Sequence, residues 1–253
     1  MVVPRTVSPE RARDVAERRI KGRWLRPADG NLLTTIAPPR LVWVPYWRLA
    51  VSLSGKMIVS YGENDSRPEG WIIEHHEDGL RKSGLAAIPM DGITGYAMIC
   101  ARKSPELASW FQSCETTSAP VWHVRGDELI PFELAGAALG PDPYIVEADV
   151  FPGDVHPRAR RVCVDGLEKA QAPGVTVWKP PHVETVITHF VLVPHYWISY
   201  EYRGEASPGQ TEGFFVAVHG RSGRNVGESH PSTLRAVVGR LRRLLSLDPS
   251  ALR

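Results

Sequence analysis

The chain has 253 residues, of which 43% are hydrophobic, so it can bury a sizeable core as one large domain or as two smaller ones. Its 30 basic and 28 acidic residues leave a formal net charge of +2, which argues against nucleic-acid binding driven by overall charge. The three cysteines lack CxxC spacing, which argues against a disulfide framework or a zinc ribbon. Residues 1–26 are too charged for a signal peptide, and no run of about 18 uncharged apolar residues occurs. We therefore expect a cytoplasmic protein with no membrane insertion.

The first predicted element is a helix over about residues 9–22. Ser8 is a suitable cap, Pro9 suits the first helical position, and strong helix formers follow. Its few apolar positions are surrounded by arginines, which is typical of a solvated amphipathic helix packed on a domain. Binding of an acidic partner or a phosphate backbone is the alternative that these arginines leave open.

The middle of the chain is rich in Pro and Gly, and its short apolar runs are separated by turn residues. This texture predicts strands joined by irregular loops, with such runs at 41–44, 144–146 and 175–178. Only two further segments have a helical pattern, at 104–111 and 232–245. The second of these places its aliphatic side chains on one stripe, and we expect it to close the fold.

Two patches of the sequence recur in the same order, which predicts a diverged internal duplication. Residues 44–55 line up with 193–204, and residues 70–79 resemble 213–223, each with a slip of one residue. The repeated unit is predicted to be a strand, a loop, a strand, a tight turn and a strand. Gly79 and Gly223 supply the positive φ that a hairpin turn needs.

The expected fold class is α+β, with two related antiparallel β-sheet units and helices at the N- and C-terminal ends. An N-terminal helical segment occupies 1–35, the first β-rich unit 36–150, and the second unit, with the C-terminal helix, 151–253.

An aromatic strand at 200–204 is followed by a strand that ends in the Ser222-Gly223 turn. This arrangement resembles the hairpin of PepSY-like modules, mainly over residues 193–230, with a diverged copy near 44–80. The resemblance implies a small antiparallel sheet packed on a helix, with a binding or inhibitory role.

The densest group of metal-type ligands is the run from His75 to Asp78. Neighbouring residues on a strand point to opposite faces, so we interpret this run as a solvated turn and assign no metal, cofactor or catalytic residue. The glycine-rich stretch 220–227 contains two arginines, and a plain turn is favoured there over an anion site.

The leading functional hypothesis is a non-catalytic binding or scaffold subunit of an intracellular assembly, with a protein partner. A metal-dependent or hydrolytic enzyme that uses His75, Glu77 and His219 is the second hypothesis. A nucleic-acid binder that uses the terminal arginine clusters is the third. The candidate binding surface, around the second-copy turn, comprises His219, Arg221, Arg224, Tyr202 and Arg203.

Overall fold

The computed structural model describes residues 1–21, 34–62, 71–78, 81–103, 110–113, 128–171, 174–202 and 212–230. The helices are α1 (Pro9–Lys21), α2 (Gly136–Leu139) and α3 (Pro152–Lys169), with a 3₁₀ turn at Phe132–Leu134. The strands are β1 (Thr34–Ile36), β2 (Arg40–Ser54), β3 (Lys56–Tyr61), β4 (Trp71–Asp78), β5 (Arg81–Pro89), β6 (Thr94–Cys100), β7 (Trp110–Ser113), β8 (Thr176–Lys179), β9 (His182–Tyr202), β10 (Glu212–His219) and β11 (Asn225–Glu228).

These strands form two antiparallel sheets. The larger, seven-stranded sheet has the order β11-β10-β9-β2-β6-β7, with β1 on β9, and the four-stranded sheet has the order β4-β5-β3-β8. The α+β prediction with antiparallel sheets is therefore confirmed. Each sheet takes strands from both predicted β-rich units, so the sheets do not follow the predicted boundary at residue 150.

The longest ladder pairs β2 with β9, from Arg40 opposite Trp197 to Ser54 opposite His182. The matched patches 44–55 and 193–204 begin at Val44 and Val193, which lie opposite each other in this ladder. Because the strands are antiparallel, the two patches then extend in opposite directions from this pair. The other matched patches, 70–79 and 213–223, lie in different sheets: the first includes β4 of the small sheet, and the second includes β10 of the large sheet. The internal duplication therefore stays a prediction.

Gly55 carries the chain from the large sheet into the small one, between β2 and β3. Its φ is +81°, a conformation that residues with a Cβ rarely adopt. The Gly55 amide donates to Asp91 Oδ1 at 2.7 Å, and the Gly55 carbonyl accepts from the Met90 amide at 2.9 Å. The corner is thus fixed by the turn that leads into β6.

Of the two predicted hairpin turns, the one at Gly223 is confirmed, and the one at Gly79 stays a prediction. Asp78 pairs with Arg81 across the β4–β5 hairpin, whose turn residues lie outside the described part of the chain. In the β10–β11 hairpin Val218 pairs with Asn225, and Gly223 has a φ of +70°.

Helix α3 was missed by the sequence analysis, which predicted strands and loops in this region. Its buried side chains recur every four residues, at Val155, Ala159, Cys163 and Leu167, and they pack into the core that both sheets share. The interior Pro157 and the narrow apolar stripe obscure the helical pattern in the sequence. Packing against the sheets, rather than local propensity, stabilises this helix.

The predicted helix at 104–111 is wrong at its last two residues. Trp110 and Phe111 lie in β7, where they pair with Met98 and Ala97 of β6. Aromatic residues suit a strand, and pairing with a neighbour outweighs the local Ser-Pro-Glu signal. Residues 104–109 and the predicted helix at 232–245 lie outside the described residues.

Helix α1 confirms the prediction of an amphipathic helix packed on the domain. Ala12, Ala16 and Ile20 are buried against a cluster that includes Ile198 and Val216. The packing uses small side chains, which lets the helix lie close to β9 and β10.

Several basic residues of α1 form ion pairs. Glu17 accepts from Arg13 at 3.0 Å and from Lys21 at 3.1 Å within the helix. Arg19 reaches Glu228 of β11 at 2.7 Å. The last contact fastens the helix to the edge of the sheet.

The segment before α1 is built into the large sheet. The Val3 amide donates to the Leu192 carbonyl at 2.9 Å, while Val2 and Ile130 exchange backbone hydrogen bonds at 2.7 and 2.9 Å. Further on, the amides of Thr6 and Val7 both donate to the Gly220 carbonyl. This segment is therefore tied to β9 at Val2 and Val3 and to the β10–β11 turn at Thr6 and Val7.

Gly220 permits a close approach between the β10–β11 turn and β9. A Cβ at this position would lie 2.8 Å from Pro194 Cβ and 2.9 Å from the Pro194 carbonyl oxygen. We expect Gly220→Ala to lower the free energy of unfolding by about 2 kcal/mol, because backbone would have to move. Gly213→Ala is the matched control: a Cβ there meets nothing within 4 Å, and a change within about 0.5 kcal/mol is expected. Urea unfolding of both variants checks this, and equal stabilities would contradict the close-approach argument.

Candidate functional site

The residues predicted to form a binding surface do not share one exposed patch. His219 is only 1% exposed at the end of β10. Its Nδ1 accepts hydrogen bonds from the amides of Arg221 at 3.3 Å and Ser222 at 3.1 Å. His219 therefore closes the turn from inside the protein, and its ring is not part of the accessible surface.

The two arginines of this turn have different surroundings. Arg221 Nη2 lies 2.9 Å from Glu128 Oε1, and the Arg221 carbonyl accepts from Thr6 Oγ1 at 2.6 Å. Arg224 is exposed. The Tyr202 side chain and Arg203 lie outside what the structure describes. Of the predicted surface, the described part thus leaves Arg224 as the freely accessible side chain.

Two buried histidines pack together beneath this turn. His195 and His219 are opposite each other in the β9–β10 ladder, and their rings meet edge to face with centroids 5.3 Å apart. The His195 ring stacks on Tyr46 at 6.1 Å, its Nδ1 lies 3.0 Å from the Val193 carbonyl, and its Nε2 has no hydrogen-bond partner among the described residues. The pair is part of the core.

This environment keeps both imidazoles neutral. Burial lowers the pKa of His195 to about 4. Burial, reinforced by the nearby His195 and Arg221, lowers the pKa of His219 to about 2. Protonation of His219 at Nδ1 would also remove the acceptor for its two turn amides.

A groove of about 610 Å³ opens on the face of the large sheet that carries His195 and Val42, which are partners across β2 and β9. Its lining comprises Arg40, Val42, Val44, Arg102, Tyr144, Ile145, Val146, Glu147 and Trp197. Val42 and Val44 are 5% and 2% exposed and present their remaining surface as the apolar floor, because alternate residues of β2 face this side. The volume falls in the range of ligand-binding sites.

The two sides of the groove are held by backbone hydrogen bonds and aromatic stacking. On one side, the Trp43 amide donates to the Tyr144 carbonyl at 2.8 Å, and the Val146 amide donates to the Trp43 carbonyl at 2.9 Å. On the other side, Trp197 stacks on Phe215 with centroids 3.9 Å apart. Both walls are therefore part of the sheet framework.

Charged side chains mark the two ends of the groove. The guanidinium carbon of Arg40 lies 4.1 Å from the centroid of the exposed Tyr144 ring. At the other end, Arg102 Nη1 donates to the Glu147 carbonyl at 3.1 Å, and Arg102 Nε lies 4.0 Å from Asp149 Oδ2. The arrangement can hold an anionic group beside Arg40 and apolar groups along the floor.

The groove could not be predicted from the sequence, although two of its parts were expected as strands. The apolar runs at 41–44 and 144–146 were predicted as strands, and they supply the floor and one wall. Arg40, Arg102 and Trp197 are far apart in the chain, and only the β2–β9 and β2–β6 registers bring them together.

The residues of the enzyme hypothesis lie in different sheets. His75 and Glu77 lie on β4 of the small sheet, with side chains outside the described set, whereas His219 lies in the large sheet. Among the residues that the structure describes, no group of three or more His, Cys, Asp or Glu could hold a metal ion. Within the same ranges no helix combines the length and apolar character needed to span a bilayer.

Comparison of the chain with protein-family models, with curated proteins and with solved structures gave no match. The resemblance to PepSY-like modules therefore stays a prediction.

The neutral histidine pair predicts acid sensitivity. In the unfolded chain His195 takes up a proton near pH 6.5, but in the folded protein it does so only near pH 4, so stability is lost as the pH falls between these values. The expected loss is about 3 kcal/mol for His195 alone, with His219 acting in the same direction. Urea unfolding at pH 7, 5.5 and 4.5 measures the slope.

His195→Phe should flatten this pH dependence, because the phenyl ring occupies similar space and cannot be protonated. His182→Gln, at an exposed position on the same strand, is the control and should leave the slope unchanged. A His195→Phe slope equal to that of the wild type would refute the assignment.

Proposed function

We propose that this protein is a non-catalytic binding subunit that docks a partner protein in the groove over β2. The observation that carries the proposal is the combination of an apolar floor, an aromatic wall and a cationic end at one preformed site. Sites of this composition gain affinity from apolar burial and orientation from a few polar groups.

Apolar surface extends beyond the groove itself, which favours a protein as the occupant. Tyr144 and Ile145 on the rim are 50% and 47% exposed. Tyr, Trp and Arg are the residue types that dominate binding energy at protein interfaces, and Tyr144, Trp197 and Arg40 are adjacent here. A partner segment that covers the groove would bury these side chains together.

Site-specific cross-linking tests the proposal. A photo-reactive residue replaces Ile145 in the tagged protein, and the matched control carries it in place of Trp178, a 68% exposed side chain on β8 of the small sheet. We expect the position-145 protein to form one stoichiometric adduct in its own cell extract, at high salt and after nuclease treatment. The adduct should form again with the purified partner, which mass spectrometry identifies.

Charge reversal at the groove gives the second readout. Arg40→Glu should reduce the yield of the reconstituted adduct about tenfold, because it places a negative charge where an anionic group is held. Arg160→Glu, at an exposed position on α3, should leave the yield unchanged. Equal adducts from positions 145 and 178, or no adduct from either, would overturn the proposal.

A further inference from the structure

We infer that the groove takes an extended peptide segment with an acidic residue at Arg40 and aliphatic residues two and four positions further along, over Val42 and Val44. The inference rests on the proposed function, since it specifies the part of the partner that enters the groove.

Arg40 is the position best suited to a carboxylate. Its guanidinium is exposed and rests on the Tyr144 ring, and among the described residues no carboxylate forms an ion pair with it. An aromatic face holds a guanidinium flat and leaves its N–H edge available for a bidentate contact. An acidic side chain of the partner is the complementary group.

The spacing along the floor matches an extended chain. Arg40, Val42 and Val44 occupy alternate positions of β2 and face the same side. An extended ligand that runs along β2 has the same repeat, about 6.6 Å between residues that share a face. An acidic residue at Arg40 therefore brings the second and fourth residues beyond it over the two valines.

The opposite end of the groove limits where the segment can carry its acidic residue. Glu147 lines that end and is exposed, and Arg102 there lies near Asp149. A second acidic residue would meet two carboxylates around the single guanidinium of Arg102, and this excess of negative charge disfavours it. The site therefore favours a segment with its acid at the Arg40 end only.

Fluorescence anisotropy with labelled synthetic peptides tests the inference on the intact protein. The reference peptide contains Glu-Thr-Val-Thr-Val. One comparison peptide replaces Glu by Lys, a second replaces both Val by Ser, and a third adds a Glu two residues beyond the last Val. We expect each change to raise the dissociation constant, about tenfold for the first two.

A charge swap separates recognition by Arg40 from general attraction. Arg40→Glu should prefer the Lys peptide over the Glu peptide, Arg40→Ala should distinguish them little, and Arg160→Glu should behave as the wild type. Equal binding of the Glu and Lys peptides by the wild type, or no reversal in Arg40→Glu, would overturn the inference.

The two proposals can fail separately. If the cross-linked partner maps to the groove through a segment without this acidic and aliphatic spacing, the inference falls and the proposed function stands. If position 145 gives no specific adduct, the proposed function falls whatever the peptides do.

Discussion

The antiparallel pairing of β2 with β9 is the constraint on which the rest of the described structure depends. It joins distant parts of the chain along a ladder from Arg40 opposite Trp197 to Ser54 opposite His182, with one register shift between Arg48 and Leu49. One face of the ladder carries α1 and α3, and the other holds the core around Val42 and Val44. A slip of one residue would exchange these faces, so the apolar pattern on both sides fixes the register. The groove inherits its geometry from that register, because Arg40 and Trp197 are direct partners across it.

The two buried histidines, His195 and His219, further restrict the conformation of the sheet, and they do so at a cost in stability. Polar rings in an apolar core are tolerated where their nitrogens meet partners, and His219 meets the Arg221 and Ser222 amides only when the turn after β10 has its observed position. His195 lies directly opposite in the ladder. The hydrogen-bond partners of both rings lie within three residues in the chain, so these bonds fix the local shape of the strand end and the turn. Only the edge-to-face contact between His195 and His219 depends on the register of β9 with β10.

The structural features that depend only on residues close together in the chain could be predicted from the sequence. The N-terminal helix follows from Ser8 and Pro9, and the β10–β11 turn follows from Gly223, whose positive φ the structure shows. Helix α3 was not predicted, because its narrow apolar stripe can be recognised as a buried face only once both sheets that it packs against are known. His219 was predicted to lie on a binding surface, although the residue is buried. The groove could not be predicted, because its residues meet only through the registers of β2 with β9 and β6. The common origin of the matched patches around Val44 and Val193 stays a prediction.

The long-range pairing of the segment before α1 affects the order in which the protein acquires its structure on the ribosome. Val2 and Val3 pair with Ile130 and Leu192, and Thr6 and Val7 bond to Gly220. All of these partners are translated long after the segment that needs them. Val2, Val3 and Val7 can therefore reach their native buried positions only after β9 and the turn after β10 have left the exit tunnel. Chaperone contact during synthesis would be most useful over this interval.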